Sequence, residues 1–252
     1  MWKDIKILLI VLVTISVVIT YTKVFTQDIE EDPFPDCPKY VGDMNKRGNV
    51  KNATEAFDLL LNQEDEIKDS IVSTSFLKEK GKPDDYYAPW RANDKNKNTA
   101  WVAGRKNGGI GETIYIDIIG RQVKQFKPLT INFNIINGYA ASEDLFNLNN
   151  RVKKAKLTIY EARWGVCGGY YSGRLSDLAV NNYKIIDLPD TSDPQSIQMK
   201  IQTIKSVKKI DEDTKYDSYS FMAEIEILEI YKGKKYNDTC ISEFNVRYFD
   251  DK

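Results

Sequence analysis

The stretch SFMAEIEILEIY, residues 220–231, alternates apolar and charged side chains. Ala223, Ile225 and Ile227 fall on one face of an extended chain, and the two glutamates between them fall on the other. Because successive side chains of a β-strand point to opposite faces, this pattern predicts a strand with one buried and one polar face. Residues 196–204, SIQMKIQTI, show the same alternation and predict a second strand of this kind.

Similar short runs recur from about Ser70 onward and are separated by Gly, Asn, Asp and Pro. They are IVSTSFL, TIYIDII, LTINFNII, KAKLTIYEA, YKIIDL and EFNVRYF. No long amphipathic helix lies between them, which disfavours a parallel α/β sheet. About eight short strands of this kind predict an all-β fold, an antiparallel sandwich or jelly roll.

Composition excludes several classes of function. The chain has 252 residues, of which 36 are basic and 37 acidic, so it is not a generally basic nucleic-acid binder. It contains no histidine, which excludes a Ser-His-Asp triad, a Cys-His dyad and His-ligated zinc within this chain. An enzyme would have to use carboxylates, Lys, Tyr or Cys. The scattered carboxylates indicate no glycosidase pair, so we expect a protein that is not an enzyme.

The N-terminal residues 1–27 have the pattern of a targeting segment. Lys3 and Lys6 precede an uncharged run from Ile7 to Thr22, which Lys23 closes. As a helix, that run would be about 24 Å long, against about 30 Å for the hydrocarbon core of a membrane. Two interpretations stay open, a cleaved signal peptide and an uncleaved signal anchor. Either one predicts that the remaining chain lies outside the cytoplasm, anchored to the membrane or secreted or periplasmic.

Residues 28–69 read as a linker with a short helix within it. Three prolines and an acidic start mark residues 28–52, and the run ATEAFDLLLN, residues 53–62, predicts the helix. The folded domain is then expected over residues 70–252. Three cysteines, Cys37, Cys167 and Cys240, permit one disulfide with one free thiol, or no disulfide, and their spacing does not choose a pair.

Three blocks of sequence together resemble a known domain family. They are NDKNKNTAWVAGRKNGGIGETIYIDI at 93–118, NGYAASEDLFNLNNRVKKAKLTIY at 137–160 and EIYKGKKYNDTCISEF at 229–244. In this order they are similar to the NADase-type glycan-binding domain, a discoidin-like, galactose-binding-like domain. It occurs as an accessory module of streptococcal NAD glycohydrolases and in membrane-anchored spirochaete proteins. The resemblance implies a jelly-roll sandwich and a binding module, without the NAD-cleaving activity of the toxins.

A cluster of hard oxygen ligands lies within the first block. Asp94, Asn96, Asn98 and Thr99 crowd one turn, and Ca²⁺ prefers such oxygens, including backbone carbonyls. The resemblance implies a structural Ca²⁺ held by Asp94, the carbonyl of Asn96, Thr99 and Glu243. The alternative is a metal-free turn stabilised by Asx hydrogen bonds.

Aromatic, amide and arginine side chains on the expected loops are candidates for sugar contacts. Sugars stack on aromatic faces and hydrogen-bond to amides and guanidinium groups. The candidate residues are Tyr86, Trp90, Tyr139, Asn149, Arg151, Trp164 and Tyr170, with Tyr87 as a further loop aromatic.

These observations lead to one main hypothesis and one alternative. The main hypothesis is a non-catalytic carbohydrate-binding module, displayed outside the cytoplasmic membrane, whose partner is a glycan or another component of the bacterial cell envelope. The alternative is a structural interaction domain that binds an envelope protein and has no sugar site. An exposed aromatic beside polar groups favours the first, and a broad apolar patch favours the second.

Overall fold

The structure is a computed structural model. It describes residues 49–61, 71–118, 128–167, 170–173, 178–203 and 216–250, and side chains except at 58, 61, 163–173, 216–219 and 248–250. The helices are α1 (Ala53–Leu61) and α2 (Glu143–Leu148), and a 3₁₀ turn spans Pro89–Ala92. The strands are β1 (Ile71–Ser73), β2 (Trp101–Val102), β3 (Thr113–Asp117), β4 (Leu129–Asn137), β5 (Asn150–Cys167), β6 (Tyr170–Gly173), β7 (Ala179–Asp187), β8 (Gln195–Ile201), β9 (Tyr216–Tyr231) and β10 (Thr239–Asp250).

The strands form two layers that are joined along one side. One layer has the order β1-β3-β9-β5-β7, with β6 also paired to β5, and the other has the order β8-β4-β10-β2. A short parallel pairing between β5 and β10 connects them, with Thr239 opposite Asn150 and Cys240 opposite Arg151. The predicted all-β sandwich is confirmed. The pairing is antiparallel as expected, apart from this junction and two isolated parallel bridges.

The facing sides of the two layers bury a common apolar core. In β4 the burial alternates, so that Leu129, Ile131, Phe133 and Ile135 point inward between half-buried neighbours. The Phe133 ring stacks on Phe244 of β10 with ring centroids 6.1 Å apart. The inward faces predicted for β8 and β9 are buried in the same core. The alternation of apolar and polar residues therefore sets which face of each strand turns toward the core, because burying the apolar side chains removes apolar surface from water.

Helix α1 lies where a helix was predicted, and it packs on the outer side of the first layer. Asn52 Oδ1 accepts a hydrogen bond from the Glu55 N–H at 3.0 Å and so caps the first turn. Phe57 is 2% exposed and packs in a cluster with Tyr115 of β3 and Met222 of β9. Residues 49–61 thus belong to the folded domain and not to a linker, because the apolar face of α1 is buried against the sheet.

The remaining predictions concern the N-terminal segment and the cysteines. The signal peptide or anchor at residues 1–27 lies outside the described residues, as does Cys37. Over the ranges that the structure describes, no helix has the length and apolar character needed to cross a membrane. Cys240 is a free, buried thiol.

Candidate functional site

The expected calcium ligands of the first block come together in the loop that precedes β2. Thr99 Oγ1 lies 2.7 and 2.9 Å from the two carboxylate oxygens of Asp94 and 2.8 Å from the carbonyl oxygen of Asn96. One hydroxyl has a single proton to donate, so it cannot satisfy three acceptors. Backbone donors serve the other two acceptors, because the Asn96 N–H donates to Asp94 Oδ1 at 3.0 Å and the Thr99 N–H donates to the Asn96 carbonyl at 2.9 Å. The hydrogen bonds of the alternative, a metal-free Asx turn, are therefore formed in this loop.

Glu243 on β10 supplies a carboxylate to the same place, although 144 positions separate it from Thr99 (243 − 99). Its Oε2 atom accepts a hydrogen bond from Asn245 Nδ2 at 2.6 Å, whereas its Oε1 atom is buried without a hydrogen-bond partner. Burial raises the pKa of Glu243, hydrogen bonds from Asn245 and from the Asn96 backbone oppose this, and the Asp94 carboxylate adds to the rise. A buried carboxylate oxygen without a partner costs free energy until a proton or a cation reaches it.

The donor set of the loop fits a hard cation such as Ca²⁺. It offers two carboxylates, a hydroxyl and a carbonyl oxygen, and the orphaned Oε1 atom of Glu243 is the observation that favours a cation over a plain Asx turn. Lys95 adopts φ 61°, which turns the backbone within the loop, and the side chains of Lys95 and Lys97 are exposed to solvent. In the described part of the chain, no group of three or more Asp, Glu, Cys or His side chains is placed to hold a metal ion, and this loop contributes two carboxylates.

Three tyrosines form a second group, which we call the tyrosine cluster: Tyr86, Tyr87 and Tyr139. The rings of Tyr86 and Tyr87 meet edge to face with centroids 4.7 Å apart. Burial and the neighbouring Tyr86 hydroxyl raise the pKa of Tyr139 to about 12. The Tyr87 hydroxyl donates to Glu79 Oε2 at 2.8 Å, and the ammonium group of Lys82 lies 4.6 Å from the Tyr86 ring centroid.

The tyrosine cluster and the calcium loop are neighbours. Arg91 connects them, because its Nη1 atom lies 3.7 Å from Asp94 Oδ2 and its charge also acts on Tyr139. The Nε atom of Arg91 is buried and has no hydrogen-bond partner. Two of the predicted sugar residues, Tyr86 and Tyr139, are thus brought together beside the predicted metal loop.

The other predicted sugar residues lie elsewhere. Trp90 is part of the 3₁₀ turn and packs against the main core from a half-buried position. Asn149 is 7% exposed, and its Nδ2 atom donates to the Leu145 carbonyl at the end of α2. Trp164 on β5 and Tyr170 on β6 have side chains outside the described part of the structure.

Arg151 is buried and all three nitrogen atoms of its guanidinium group donate to acceptors within the protein. Its Nε and Nη2 atoms donate to the carboxylate of Asp190 at 2.9 and 2.6 Å. Its Nη1 atom donates to the carbonyl oxygens of Asn149 and Lys232 at 3.1 and 3.2 Å. In this arrangement Arg151 connects the start of β5 with two loops, and its donors point at protein acceptors.

Residue patterns did not point to Arg91, Lys82 or Glu79 as neighbours of the candidate site. The signal for Arg91 was its spacing, three residues before Asp94, which allows an ion pair across one turn. Lys82 and Glu79 lie in a lysine-rich stretch whose charges look solvated in sequence, and only the folded loop brings them to the tyrosine rings.

The sequence of this sandwich matches a known protein family. The family model of the NAD glycohydrolase translocation F5/8 type C domain matches residues 63–247. The chain belongs to this family. Because the match covers every described strand up to the last residues of β10, the discoidin-like F5/8 type C assignment applies to the whole sandwich.

Some solved structures are weakly similar to part of this chain. They include CBM28, a carbohydrate-binding module specific for non-crystalline cellulose (TM-score 0.28, 10% identity), a CBM4 (0.26, 10%) and the xylan-binding module CBM15 (0.25, 11%). Each alignment covers 60% of this chain and 74%, 84% and 78% of the respective modules. No curated protein matches the chain.

The chemistry available at this end of the F5/8 type C domain is that of binding. Half-buried tyrosine rings, a lysine and a carboxylate offer stacking surface with hydrogen-bond donors and acceptors beside it. The oxygen-rich loop next to them offers a place for a cation.

Proposed function

We propose that the domain is a non-catalytic carbohydrate-binding module that acts outside the cytoplasmic membrane. The observation that carries the proposal is the tyrosine cluster, in which Tyr86 and Tyr139 lie together with charged groups at their edges. Membership of the F5/8 type C family supports a binding role. The absence of histidine from the chain removes the commonest general base from any hydrolytic alternative.

The tyrosine cluster has the features that a sugar contact requires. A pyranose ring presents an apolar face of C–H groups that packs on an aromatic ring, and its hydroxyl groups hydrogen-bond to the groups around that ring. Lys82 and Glu79 provide a donor and an acceptor at the margins of Tyr86 and Tyr87.

We further propose that Ca²⁺ binds to Asp94, the Asn96 carbonyl, Thr99 and Glu243 in a structural role. Such an ion would neutralise the buried Glu243 carboxylate and fix the loop to β10. Because Arg91 lies against both the loop and the tyrosine cluster, fixing the loop would also hold the tyrosines in place.

The N-terminal segment supports the proposed location. A basic start followed by the uncharged run from Ile7 to Thr22 is typical of export signals and anchors. Protease added to intact cells should therefore digest the domain while a cytoplasmic marker stays intact. Digestion that requires cell lysis would contradict this location.

A glycan array with the purified chain tests the function directly. We expect binding to at least one oligosaccharide class, weakened about tenfold or more by Tyr86→Ala, since stacking energy is lost. The control is Ile110→Ala, which removes a 43% exposed apolar side chain from a different loop. A folded protein that gives a blank array refutes the proposal. Capture of an envelope protein by crosslinking in the same preparation would favour the interaction domain instead.

A further inference from the structure

Two neighbouring loops carry positive charge and no acidic residue. They are residues 104–111, between β2 and β3, and residues 232–237, between β9 and β10, and we call them the basic loops. Their charged residues are Arg105, Lys106, Lys232, Lys234 and Lys235. The whole chain has a net charge of -1 with these five residues included, so the rest of it is acidic. The basic loops therefore concentrate positive charge at one place on an otherwise acidic protein.

Hydrogen bonds hold the two basic loops against each other. Asn237 Nδ2 donates to the carbonyl oxygen of Lys106 at 3.1 Å. Thr239 Oγ1, just beyond the second loop, donates to the carbonyl oxygen of Gly108 in the first. The five basic side chains thus belong to one surface, although more than 120 positions separate Lys106 from Lys232 (232 − 106).

The second basic loop is fixed through its backbone, which leaves its side chains available to a ligand. The N–H groups of Lys234, Lys235 and Tyr236 donate to carbonyl oxygens of α2 at 2.9, 3.1 and 2.9 Å. All three side chains are exposed, and the ammonium group of Lys235 lies 5.0 Å from the Tyr236 ring centroid. Because this backbone is already ordered, a ligand would lose little binding free energy to ordering the loop.

Most of the positive charges in the basic loops have no partner of opposite charge. Arg105 Nε lies 3.1 Å from Glu112 Oε1, and the Arg105 side chain remains 54% exposed. The four lysines form no ion pair with any acidic side chain that the structure describes. Their ammonium groups are exposed to solvent and can bind an anionic group of a ligand.

The basic loops adjoin the tyrosine cluster. The second loop leads through Asp238 to Cys240, whose side chain packs in one group with Tyr87 and Tyr139. Burial raises the pKa of Asp238, and the Glu79 carboxylate raises it further. Glu79 is also the acceptor of the Tyr87 hydroxyl. A ligand that packs on the tyrosine rings therefore has the basic loops beside it.

We propose that the ligand of the tyrosine cluster is an acidic oligosaccharide, whose carboxylate, sulfate or phosphate groups bind to the lysines of the basic loops. The proposal rests on the proposed carbohydrate-binding function and names the ligand class of that site. One sugar ring packs on Tyr86, and acid groups further along the ligand bind to Lys106, Lys234 and Lys235. The exposed ring of Tyr236 offers a further stacking surface beside these lysines.

The arrangement favours an acidic glycan over an anionic membrane surface. Segments that lie in a membrane interface bury a continuous apolar face at the boundary of headgroups and acyl chains. Ile110 and Tyr236 are the only large apolar side chains exposed on the basic loops, and they are 43% and 41% exposed. The lysines instead continue the surface of the tyrosine cluster, which is the proposed sugar contact.

The test measures binding of the full chain to oligosaccharides that differ only in charge, such as oligomers of galactose and of galacturonic acid. We expect the acidic oligomer to bind about tenfold more tightly at about 0.1 M NaCl, and this preference to shrink at about 1 M, because salt screens exposed charges. The double variant Lys234→Gln/Lys235→Gln should weaken binding of the acidic oligomer about five- to tenfold and leave binding of the neutral one unchanged.

The control and the outcomes separate the ligand class from the proposed function. Lys184→Gln/Lys200→Gln is the matched control, because it removes the same charge from exposed positions on β7 and β8, and melting temperatures verify that each variant is folded. If the wild type binds both oligomers equally well, or the basic-loop variant keeps the preference, the acidic ligand is refuted and the carbohydrate-binding function stands. If no oligosaccharide binds, both proposals fail. Binding to vesicles of phosphatidylglycerol and phosphatidylcholine, without a preference for acidic oligomers, overturns the proposal in favour of a membrane contact.

Discussion

Neutralising Glu243 should stabilise the calcium-free protein and remove its response to calcium. At pH 7 without a cation, Glu243 holds a buried carboxylate oxygen that has no partner. Its folded-state pKa lies above that of the unfolded chain, so the unfolded state releases the proton first as the pH rises. Stability is thus lost between about pH 4.3, the ordinary Glu value, and the raised folded value. Glu243→Gln has no carboxylate at this position, so the variant does not lose this stability as the pH rises.

The size of the effect follows from the buried atom and from mass action. A buried polar atom without a hydrogen bond costs about 1–3 kcal/mol, which Glu243→Gln should recover at pH 7 in EDTA. A site with a Kd of about 0.1–1 mM, typical of extracellular calcium modules, stabilises the wild type by about 1.4–2.7 kcal/mol at about 10 mM Ca²⁺. For a domain of this size, that shifts Tm by about 3–10 °C.

Differential scanning calorimetry in EDTA and in calcium measures both changes. We expect calcium to raise the Tm of the wild type, and to leave the Tm of Glu243→Gln and Asp94→Ala nearly unchanged. The matched control is Asn98→Ala in the same loop, which keeps all four expected ligands and should keep the response. The reasoning is refuted if Glu243→Gln melts below the wild type in EDTA and still gains stability from calcium.

Three further predictions concern the scaffold. Phe57→Ala should destabilise the domain by about 3–5 kcal/mol in urea unfolding, because α1 packs on the sheet; an unchanged midpoint would mean that residues 49–61 are a linker after all. Arg151→Lys should cost about 2 kcal/mol, below the 3–5 kcal/mol of a fully buried pair because Asp190 is partly exposed, and a loss under about 0.5 kcal/mol would contradict this. Cys240 is buried and burial raises its pKa, so we expect no reaction with a thiol reagent in the native state.

The parts of the fold that the sequence predicts are those set by local patterns. Strand β9 alternates Ala223, Ile225 and Ile227 with glutamates, and this alternation alone identifies its buried face. The loop from Asp94 to Thr99 is equally local, because its oxygens lie within one turn. The position of Glu243 beside that loop depends on the β2–β10 pairing, which no spacing in the sequence reveals.

The candidate sugar residues show that residue type alone does not identify a binding residue. Arg151 has the chemistry of a sugar ligand, yet Asp190 and two carbonyl oxygens occupy its donors, and these partners lie far along the chain. In β7 the run YKIID has apolar residues on both faces, so its pattern does not distinguish an interior strand from one with an open apolar face. Only the folded structure shows that Tyr183 is a surface residue, because β7 lies on the part of the layer that α1 does not cover.

The position of β10 has a consequence for the order in which the domain is made. β10 follows all other strands in the chain, but it pairs with β4 over eight residues and also contacts β2 and β5. A nascent chain that has not yet reached Thr239 therefore lacks the strand that joins the two layers. Because the long-range pairings of β10 form last, we expect slow folding that starts only after this strand leaves the ribosome.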